Sequence, residues 1–277
     1  MKKKIFFLSF LLILCFLRFE EPIAQKVSPH NIEKYEMKDL KVDSLIKNDF
    51  VPANDKEGSG WELVFMDNFS GYKVELEKWG VLNRKKNYNN ELQEYTAENV
   101  KVRDGRLHLT GLKEKDGYTS GLIQTKGKFD FLYGKVEVKA NYPSGKGLFP
   151  AIWLLRSDEK DVLPEIDIFE AVGHEPEKAY FVQHWREDGK LKTVHGTKSI
   201  NNPHEDHIFS VEWEKHEIRW FVDNQLVFKA ENYDANVPMY LIVNLAIGGN
   251  WPGSPDAQTI FPADFSIDYI KIYEKEK

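Results

Sequence analysis

One short stretch of the chain places three acidic residues inside the apolar pattern of a buried strand. Residues 163–173 read LPEIDIFEAVG, and Glu165, Asp167 and Glu170 alternate there with aliphatic and aromatic side chains. Burying a carboxylate costs several kcal/mol unless the group is paired or used. The segment therefore indicates a site at which carboxyl groups do chemistry.

The spacing of the three acids predicts an irregular strand. Successive side chains of a strand point to opposite faces, so Glu165 and Asp167 share a face and Glu170 would lie on the other. One inserted residue, a β-bulge, would bring Glu170 round to the face of the other two. We therefore expect a bulge between Asp167 and Glu170.

Three carboxyl groups in a row suit hydrolysis of a glycosidic bond with retention of configuration. That reaction uses two carboxyl groups about 5 to 5.5 Å apart, one as nucleophile and one as acid/base. Crowding raises the pKa of one acid, as a general acid requires. The Glu-x-Asp-x-x-Glu spacing arises by chance in about one in seven chains of this acidity, so it is a hypothesis by itself. The alternative, a solvent-facing acidic edge strand, conflicts with the apolar flanks.

The rest of the chain from Trp61 onward has the pattern of many short strands. Runs rich in β-branched and aromatic residues are separated by turn sequences such as RDGR, KDGY and EDGK. IRWF followed by VDNQLVF predicts a tight hairpin. No long stretch has helical periodicity. The pattern therefore predicts an all-β sandwich or barrel.

Composition excludes several classes of partner. The chain has 277 residues and a net charge of −6, whereas proteins that bind nucleic acid need a basic surface. Beyond the N-terminus no apolar run is long enough to span a membrane. The single cysteine, Cys15, lies in the N-terminal apolar run, so the predicted mature chain has no disulfide.

The N-terminus has the pattern of an export signal. Residues 1–24 combine a basic MKKK start with the apolar run IFFLSFLLILCFL, which is typical of a signal peptide. Lipid attachment at Cys15 is the alternative, and Leu14 is large for that motif. Residues 25–57 are polar and predict a linker or peripheral segment. The folded domain is then expected over residues 58–277, in a protein that is secreted, periplasmic or at the cell surface.

Several segments resemble those of glycoside hydrolase family 16. They occur in the family's order and read YNNELQEYTAENVKVRDGRLHLTG, GKFDFLYGKVEVKANYPSGKGLFPAIWLL, PEIDIFEAVGHEP, IRWFVDNQLV and NLAIGGNWPGSPD. The acid motif and GGNWPGSPD most resemble the laminarinases, which are endo-β-1,3-glucanases. The resemblance implies a concanavalin A-like β-jelly-roll sandwich with an open substrate cleft on its concave sheet. It also implies an enzyme whose partner is a polysaccharide, β-1,3-glucan first, and we expect a monomer.

The resemblance implies a role for each acid. Glu165 would be the nucleophile that forms a covalent glycosyl-enzyme. Glu170 would be the acid/base, and Asp167 would orient Glu165 and tune its charge. This chemistry requires no cofactor.

The same resemblance implies a set of substrate-binding side chains. They carry amide, carboxyl, imidazole or aromatic groups that bond or stack on sugars, and they are Asn90, Glu91, Gln93, Phe149, Trp153, His184, Trp185 and Trp251. Each has a structural alternative, such as turn chemistry at Asn90 or core packing of a tryptophan. Phe149 stands where laminarinases frequently have tryptophan. Trp213 and Trp220 are expected to pack in the core.

The resemblance further implies a structural calcium site. Asp268, in SIDYIKIY, matches a position that supplies an oxygen ligand in many family members. Asn68 stands where an acid is frequent, which removes charge from a site that favours anionic oxygen ligands. Any such calcium ion would be structural rather than catalytic.

The sequence leaves the polymer open. The same retaining chemistry acts on mixed-linkage β-1,3-1,4-glucan and on marine galactans such as agarose or carrageenan. Arg84, Lys85 and Lys86 form a basic cluster that would suit a sulfated substrate. An alternative of another class is a non-catalytic polysaccharide-binding sandwich, although binding alone would not need both Glu165 and Glu170.

Overall fold

Strands with alternating apolar side chains bury one face, and two such sheets bury those faces against each other. The computed structural model describes residues 60–85 and 88–276. Within these residues the strands form two stacked sheets, which confirms the predicted all-β sandwich. No helix in the described residues is long and apolar enough to cross a membrane. The predictions for residues 1–24 and 25–57 lie outside the described residues.

Seventeen strands can be assigned in the described part of the chain. They are β1 (Trp61–Asp67), β2 (Gly80–Val81), β3 (Gln93–Tyr95), β4 (Val100–Arg103), β5 (Arg106–Glu114), β6 (Gly117–Ser120), β7 (Leu122–Gln124), β8 (Gly134–Asn141), β9 (Leu148–Arg156), β10 (Glu165–Ala171), β11 (Lys178–Glu187), β12 (Lys190–Ser199), β13 (His207–Trp213), β14 (Glu217–Val222), β15 (Gln225–Glu231), β16 (Met239–Ile247) and β17 (Ala263–Lys275). A 3-10 turn, Ala97–Asn99, precedes β4.

The two sheets differ in size. The larger has the order β15-β14-β13-β8-β17-β5-β6-β3, with β1 paired to β17 and β4 to β5. The smaller has the order β12-β11-β10-β9-β16-β7-β2, so the strand with the three acids lies inside it. The predicted hairpin is confirmed as β14–β15. Its turn residues Asp223 and Asn224 have φ of 49° and 62°, as a type I′ turn requires.

The core lies between the sheets and is rich in aromatic side chains. Trp213 and Trp220 of the larger sheet are fully buried there, as expected. Strand β10 contributes Ile166, Ile168 and Phe169 to the same core. The outer face of the smaller sheet is therefore free to present polar side chains to a substrate.

A charged cluster on the larger sheet links stability to pH. The carboxylate of Asp264 on β17 contacts His108, Thr110 and Arg103. The hydrogen bond with His108 is the largest of the causes that lower the pKa of Asp264. Thr110 and Arg103 lower it further, and the pKa falls to about 2. Because the folded pKa lies below the unfolded value of about 3.9, this stabilisation is present above pH ~4 and is lost as the pH falls towards ~2.

We expect Asp264→Asn to lower the free energy of unfolding by about 1 kcal/mol at neutral pH, after allowance for solvent screening of a partly exposed carboxylate. Urea unfolding of parent and variant at neutral pH and near pH ~2 measures this difference. The difference should shrink at the lower pH. An equal difference at both pH values would show that the charge of Asp264 is not its source.

Candidate active site

A bulge in β10 brings the three acids to one face of the smaller sheet. Glu165 and Asp167 pair in register with His184 and Val182 of β11. From Asp167 to Glu170 the chain advances three residues, while the pairing position on β11 shifts by two, to Tyr180. The extra residue restores Glu170 to the face of Glu165, as the spacing predicts.

The extra residue is accommodated at Ile168 and Phe169. Both side chains are buried in the core between the sheets, although neighbouring positions of a regular strand face opposite sides. The register with β9 also shifts here, between Asp167 and Phe169. The side chains of Glu165, Asp167 and Glu170 consequently form one row on the outer face.

The row is deeply buried for a set of carboxyl groups. Glu165, Asp167 and Glu170 are 0%, 1% and 3% exposed. Burial raises the pKa of Asp167 well above its usual range, and the neighbouring Glu170 and Glu165 raise it further. The interaction with Glu165 thus favours the protonated form of Asp167.

His184 of β11 completes this row. Its Nε2 lies 3.5 Å from Asp167 Oδ2, and its Nδ1 lies 2.7 Å from Thr193 Oγ1 on β12. The residue His184 is 4% exposed, and its two ring nitrogens contact Thr193 and Asp167. The structure thus brings His184 together with the acids. Thr193, whose role no local sequence pattern indicates, orients the ring of His184.

Trp185 is directed away from the acids. It follows His184 in β11, so its side chain faces the opposite side of the strand. Its ring stacks on Tyr233, with centroids 4.2 Å apart and an interplanar angle of 9°. The structure therefore does not place Trp185 in the site that contains Glu165.

Trp153 of β9 stands beside Asp167 in the sheet. Its indole Nε1 donates to Asn244 Oδ1 at 2.8 Å, and Asn244 Nδ2 donates to the hydroxyl of Tyr95 at 3.1 Å. Asn244 and Tyr95 were missed from the sequence. Asn244 is the only polar residue in the strand MYLIVNLAI, and a lone amide in a buried strand is a signal that could have identified it.

An aromatic cluster lies beside Glu170. Trp251 makes edge contacts with Phe149, at a centroid distance of 5.4 Å, and with Tyr180, at 4.7 Å. Tyr180 is the register partner of Glu170, so this cluster adjoins the acid row. Tyr180 was also missed, although alternation along β11 places it on the face of His184.

The segment 89–93 lies against the loop that carries Trp251. Asn90 Nδ2 donates to Asn250 Oδ1 at 2.6 Å. Gln93 Nε2 donates to Glu91 Oε2 at 2.7 Å, and the side-chain Oε1 of Gln93 accepts from the backbone N–H of Ile247 at 2.8 Å. Asn90 also has a φ of 60°, so turn chemistry contributes as well. The three predicted residues of this segment are therefore held beside the C-terminal end of β16 and the loop that follows it.

The two tryptophans provide a matched test of which surface binds sugar. We expect Trp251→Ala to raise KM for the polysaccharide about 5- to 10-fold with little change in kcat, because an aromatic contact contributes about 1 kcal/mol. Trp185→Ala should leave KM unchanged. Steady-state kinetics of both variants decide the point, and a larger effect at Trp185 would contradict this placement of the cleft.

Asp268 does not fit a calcium ligand in this arrangement. Its Oδ2 lies 2.6 Å from Lys139 Nζ. The same ammonium group lies 3.6 Å from Asp206, whose carboxylate also accepts two hydrogen bonds from Arg106. Protein cations thus neutralise both acids, whereas calcium needs oxygen atoms free to coordinate it.

The chemistry of the row is that of glycosidic bond cleavage. Two glutamates on the same face of one strand, with an aspartate between them, have the chemical composition that glycoside hydrolases use. Residues 86–271 match the family model described as Glycosyl hydrolases family 16. The chain belongs to this family and is an enzyme with the jelly-roll sandwich that its resemblance implies.

Known relatives support the family over most of the domain. The chain is 35% identical to the Beta-glucanase of Rhodothermus marinus, with coverage of 77% of this chain and 85% of that protein. It is 30% identical to Glucan endo-1,3-beta-glucosidase A1 of Niallia circulans, covering 79% of this chain but only 38% of that protein. The endo-beta-1,3-glucanase structure from Pyrococcus furiosus has 31% identity and a TM-score of 0.72, covering 78% and 95% of the two chains.

Proposed function

We propose that this protein is a retaining endo-glycosidase that hydrolyses β-1,3-glucan of the laminarin type. The observation that carries the proposal is the bulge of β10, which sets Glu165 and Glu170 on one face with Asp167 between them. The names of the relatives support the choice of β-1,3-glucan. The aromatic cluster around Trp251 supplies a surface for the sugar rings next to that row.

The proposed reaction proceeds in two displacements at the anomeric carbon. In the first, a carboxylate oxygen of Glu165 attacks that carbon while the glycosidic bond breaks, and Glu170 gives its proton to the departing oxygen. In the second, Glu170 removes a proton from water, and the water oxygen displaces Glu165 from the same carbon. Two inversions leave the configuration unchanged, and both glutamates regain their starting protonation states.

Asp167 contributes to the first displacement through its own protonation. In its neutral form Asp167 adds no second negative charge beside the nucleophile, and its carboxyl group can donate a proton towards Glu165. His184 is the register partner of Glu165, and its Nε2 lies 3.5 Å from Asp167 Oδ2, so it limits the movement of Asp167. We infer that these two residues orient the nucleophile.

A product profile on a panel of polymers tests the substrate. Laminarin, lichenan, agarose, carrageenan and xyloglucan are incubated with the enzyme, and reducing ends and oligosaccharide lengths are measured. We expect laminarin to be cleaved fastest, into a series of oligosaccharides that shows internal cleavage. Preference for another polymer would overturn the β-1,3-glucan proposal while leaving the retaining chemistry intact.

Two other substrates remain alternatives in this panel. Mixed-linkage β-1,3-1,4-glucan would be cleaved by the same row of acids. A galactan of the agarose or carrageenan type draws support from Arg84, whose guanidinium lies 5.4 Å from the ring centroid of Tyr95. Tyr95 bonds Asn244 beside Trp153, so one cation of the basic cluster lies near the site. Faster cleavage of carrageenan than laminarin would favour this second substrate class.

A non-catalytic polysaccharide binder is separated from an enzyme by the same panel. It would bind a polymer and release no reducing ends. The family membership and the paired acids Glu165 and Glu170 favour the enzyme.

We further propose that the protein acts outside the cytoplasm as a monomer. The proposal rests on the signal-peptide pattern of residues 1–24, with Cys15 as the alternative site of a lipid anchor. N-terminal sequencing of the mature protein and its mass in solution test it. An N-terminus near residue 25 and a mass of one chain are expected, whereas a lipidated Cys15 would contradict the soluble form.

A further inference from the structure

The bulge in β10 is bonded to the opposite sheet. A bulge interrupts the hydrogen-bond ladder, so backbone groups beside it need other partners. The backbone carbonyl of Asp167, at the start of the bulge, accepts a hydrogen bond from Trp220 Nε1 at 2.9 Å, and this contact is buried. Trp220 belongs to β14 of the larger sheet, so the bond crosses the core.

Trp220 is itself rigidly held. Its side chain is 0% exposed, and its ring packs against Phe228 with centroids 4.9 Å apart. The indole N–H has a fixed direction because both rings are enclosed in the core. This N–H therefore sets the direction of the backbone carbonyl of Asp167. The same bond sets the orientation of the peptide plane at which β10 departs from regular strand geometry.

We propose that Trp220 is a positioning residue for hydrolysis, because it fixes the bulge that sets Glu165 relative to Glu170. Trp220 touches neither the substrate nor the reacting atoms. The two glutamates lie on either side of the bulge, so a turn of the Asp167 peptide changes their separation and mutual orientation. A misplacement of about 1 Å in a catalytic group lowers the rate about 100-fold.

The chain supplies a matched control for this inference. Trp213 is also in the larger sheet and also 0% exposed. Its indole donates to a backbone carbonyl as well, that of Ala235, at 2.8 Å. Trp213→Phe and Trp220→Phe each remove one buried indole hydrogen bond, and only the second removes it from the bulge.

The experiment compares the two variants on the polymer that the parent cleaves fastest. We expect both variants to lose thermal stability to a similar extent. Trp220→Phe should lower kcat about 10- to 100-fold with KM within about twofold of the parent, and it should change the width of the pH–rate profile. Trp213→Phe should retain parental kcat and pH profile.

A second variant separates the N–H donor from the shape of the ring. Site-specific replacement of Trp220 by 3-benzothienylalanine substitutes sulfur for the indole N–H and keeps both rings. This variant should show the same loss of kcat. If it and Trp220→Phe both match Trp213→Phe in kcat and pH profile, the inference is overturned.

The inference rests on the proposed roles of Glu165 and Glu170, and the two can fail separately. Full activity of a Glu165→Gln enzyme would refute the roles themselves. An inactive Glu165→Gln enzyme together with an unimpaired Trp220→Phe enzyme would refute only the positioning by Trp220.

Discussion

Glu165→Ala is expected to lower kcat about 10⁴-fold or more on the best polymer, because it removes the proposed nucleophile that forms the covalent intermediate. The side chain is fully buried in the row, and the substitution leaves a space in front of the anomeric carbon. Added azide should enter that space and attack the carbon in place of the carboxylate. With an activated aryl β-glycoside as substrate, we expect recovery of turnover and an α-glycosyl azide, since a single displacement inverts the configuration.

The control for this result is Glu165→Gln, which keeps the size of the side chain and leaves no space for azide. It should be equally inactive and should not be rescued. Circular dichroism and thermal unfolding show that both variants are folded. Activity near the parental level in either variant, or a β-glycosyl azide from Glu165→Ala, would refute the role of Glu165.

Glu170→Ala is expected to lose activity in a manner that depends on the leaving group. Loss of a general acid/base costs about 10²- to 10⁴-fold, and the full loss should appear with the polysaccharide, whose departing sugar oxygen needs a proton. An aryl β-glycoside with an acidic phenol needs little assistance, so formation of the glycosyl-enzyme should be far less affected. Azide should then intercept that intermediate and yield a β-glycosyl azide.

The opposite stereochemistry of the two azide products distinguishes the two glutamates. Glu165→Ala should give the α product by one displacement, and Glu170→Ala the β product by two. Pre-steady-state release of the phenol shows which step is slow. An equal loss on polysaccharide and activated substrate would contradict the assignment of Glu170 as the acid/base.

Much of the acid row could be predicted from the sequence because it depends on local counting. Alternation places Glu165 and Asp167 together, and the three-residue step to Glu170 requires an inserted residue. The hairpin at Asp223 and Asn224 could also be predicted from the sequence, because a type I′ turn favours residues that tolerate a positive φ, such as Asp and Asn. The bulge and the hairpin, which both depend on residues close together in sequence, were thus confirmed by the structure.

Other parts of the site depend on pairing between strands that are distant in sequence. The bond between Asn244 and Tyr95 joins residues 149 positions apart, and no local pattern fixes that register. Trp185 was grouped with His184 from the family resemblance, although alternation within β11 alone already separates the two side chains. The pairing of Asp268 with Lys139 also joins neighbouring strands that are 129 positions apart in sequence, so one residue alone could not show that a protein cation meets this carboxylate.

One bulge is proposed to place Glu165 and Glu170 so that they act in turn on a single anomeric carbon. Proton NMR of the first product formed from a laminarin oligosaccharide, recorded before mutarotation, reports the configuration at that carbon. We expect the new reducing end to appear first as the β anomer and the α anomer to follow only by mutarotation. The α anomer as the initial product would contradict it, because a direct attack by water needs carboxyl groups farther apart, about 6.5 to 9.5 Å.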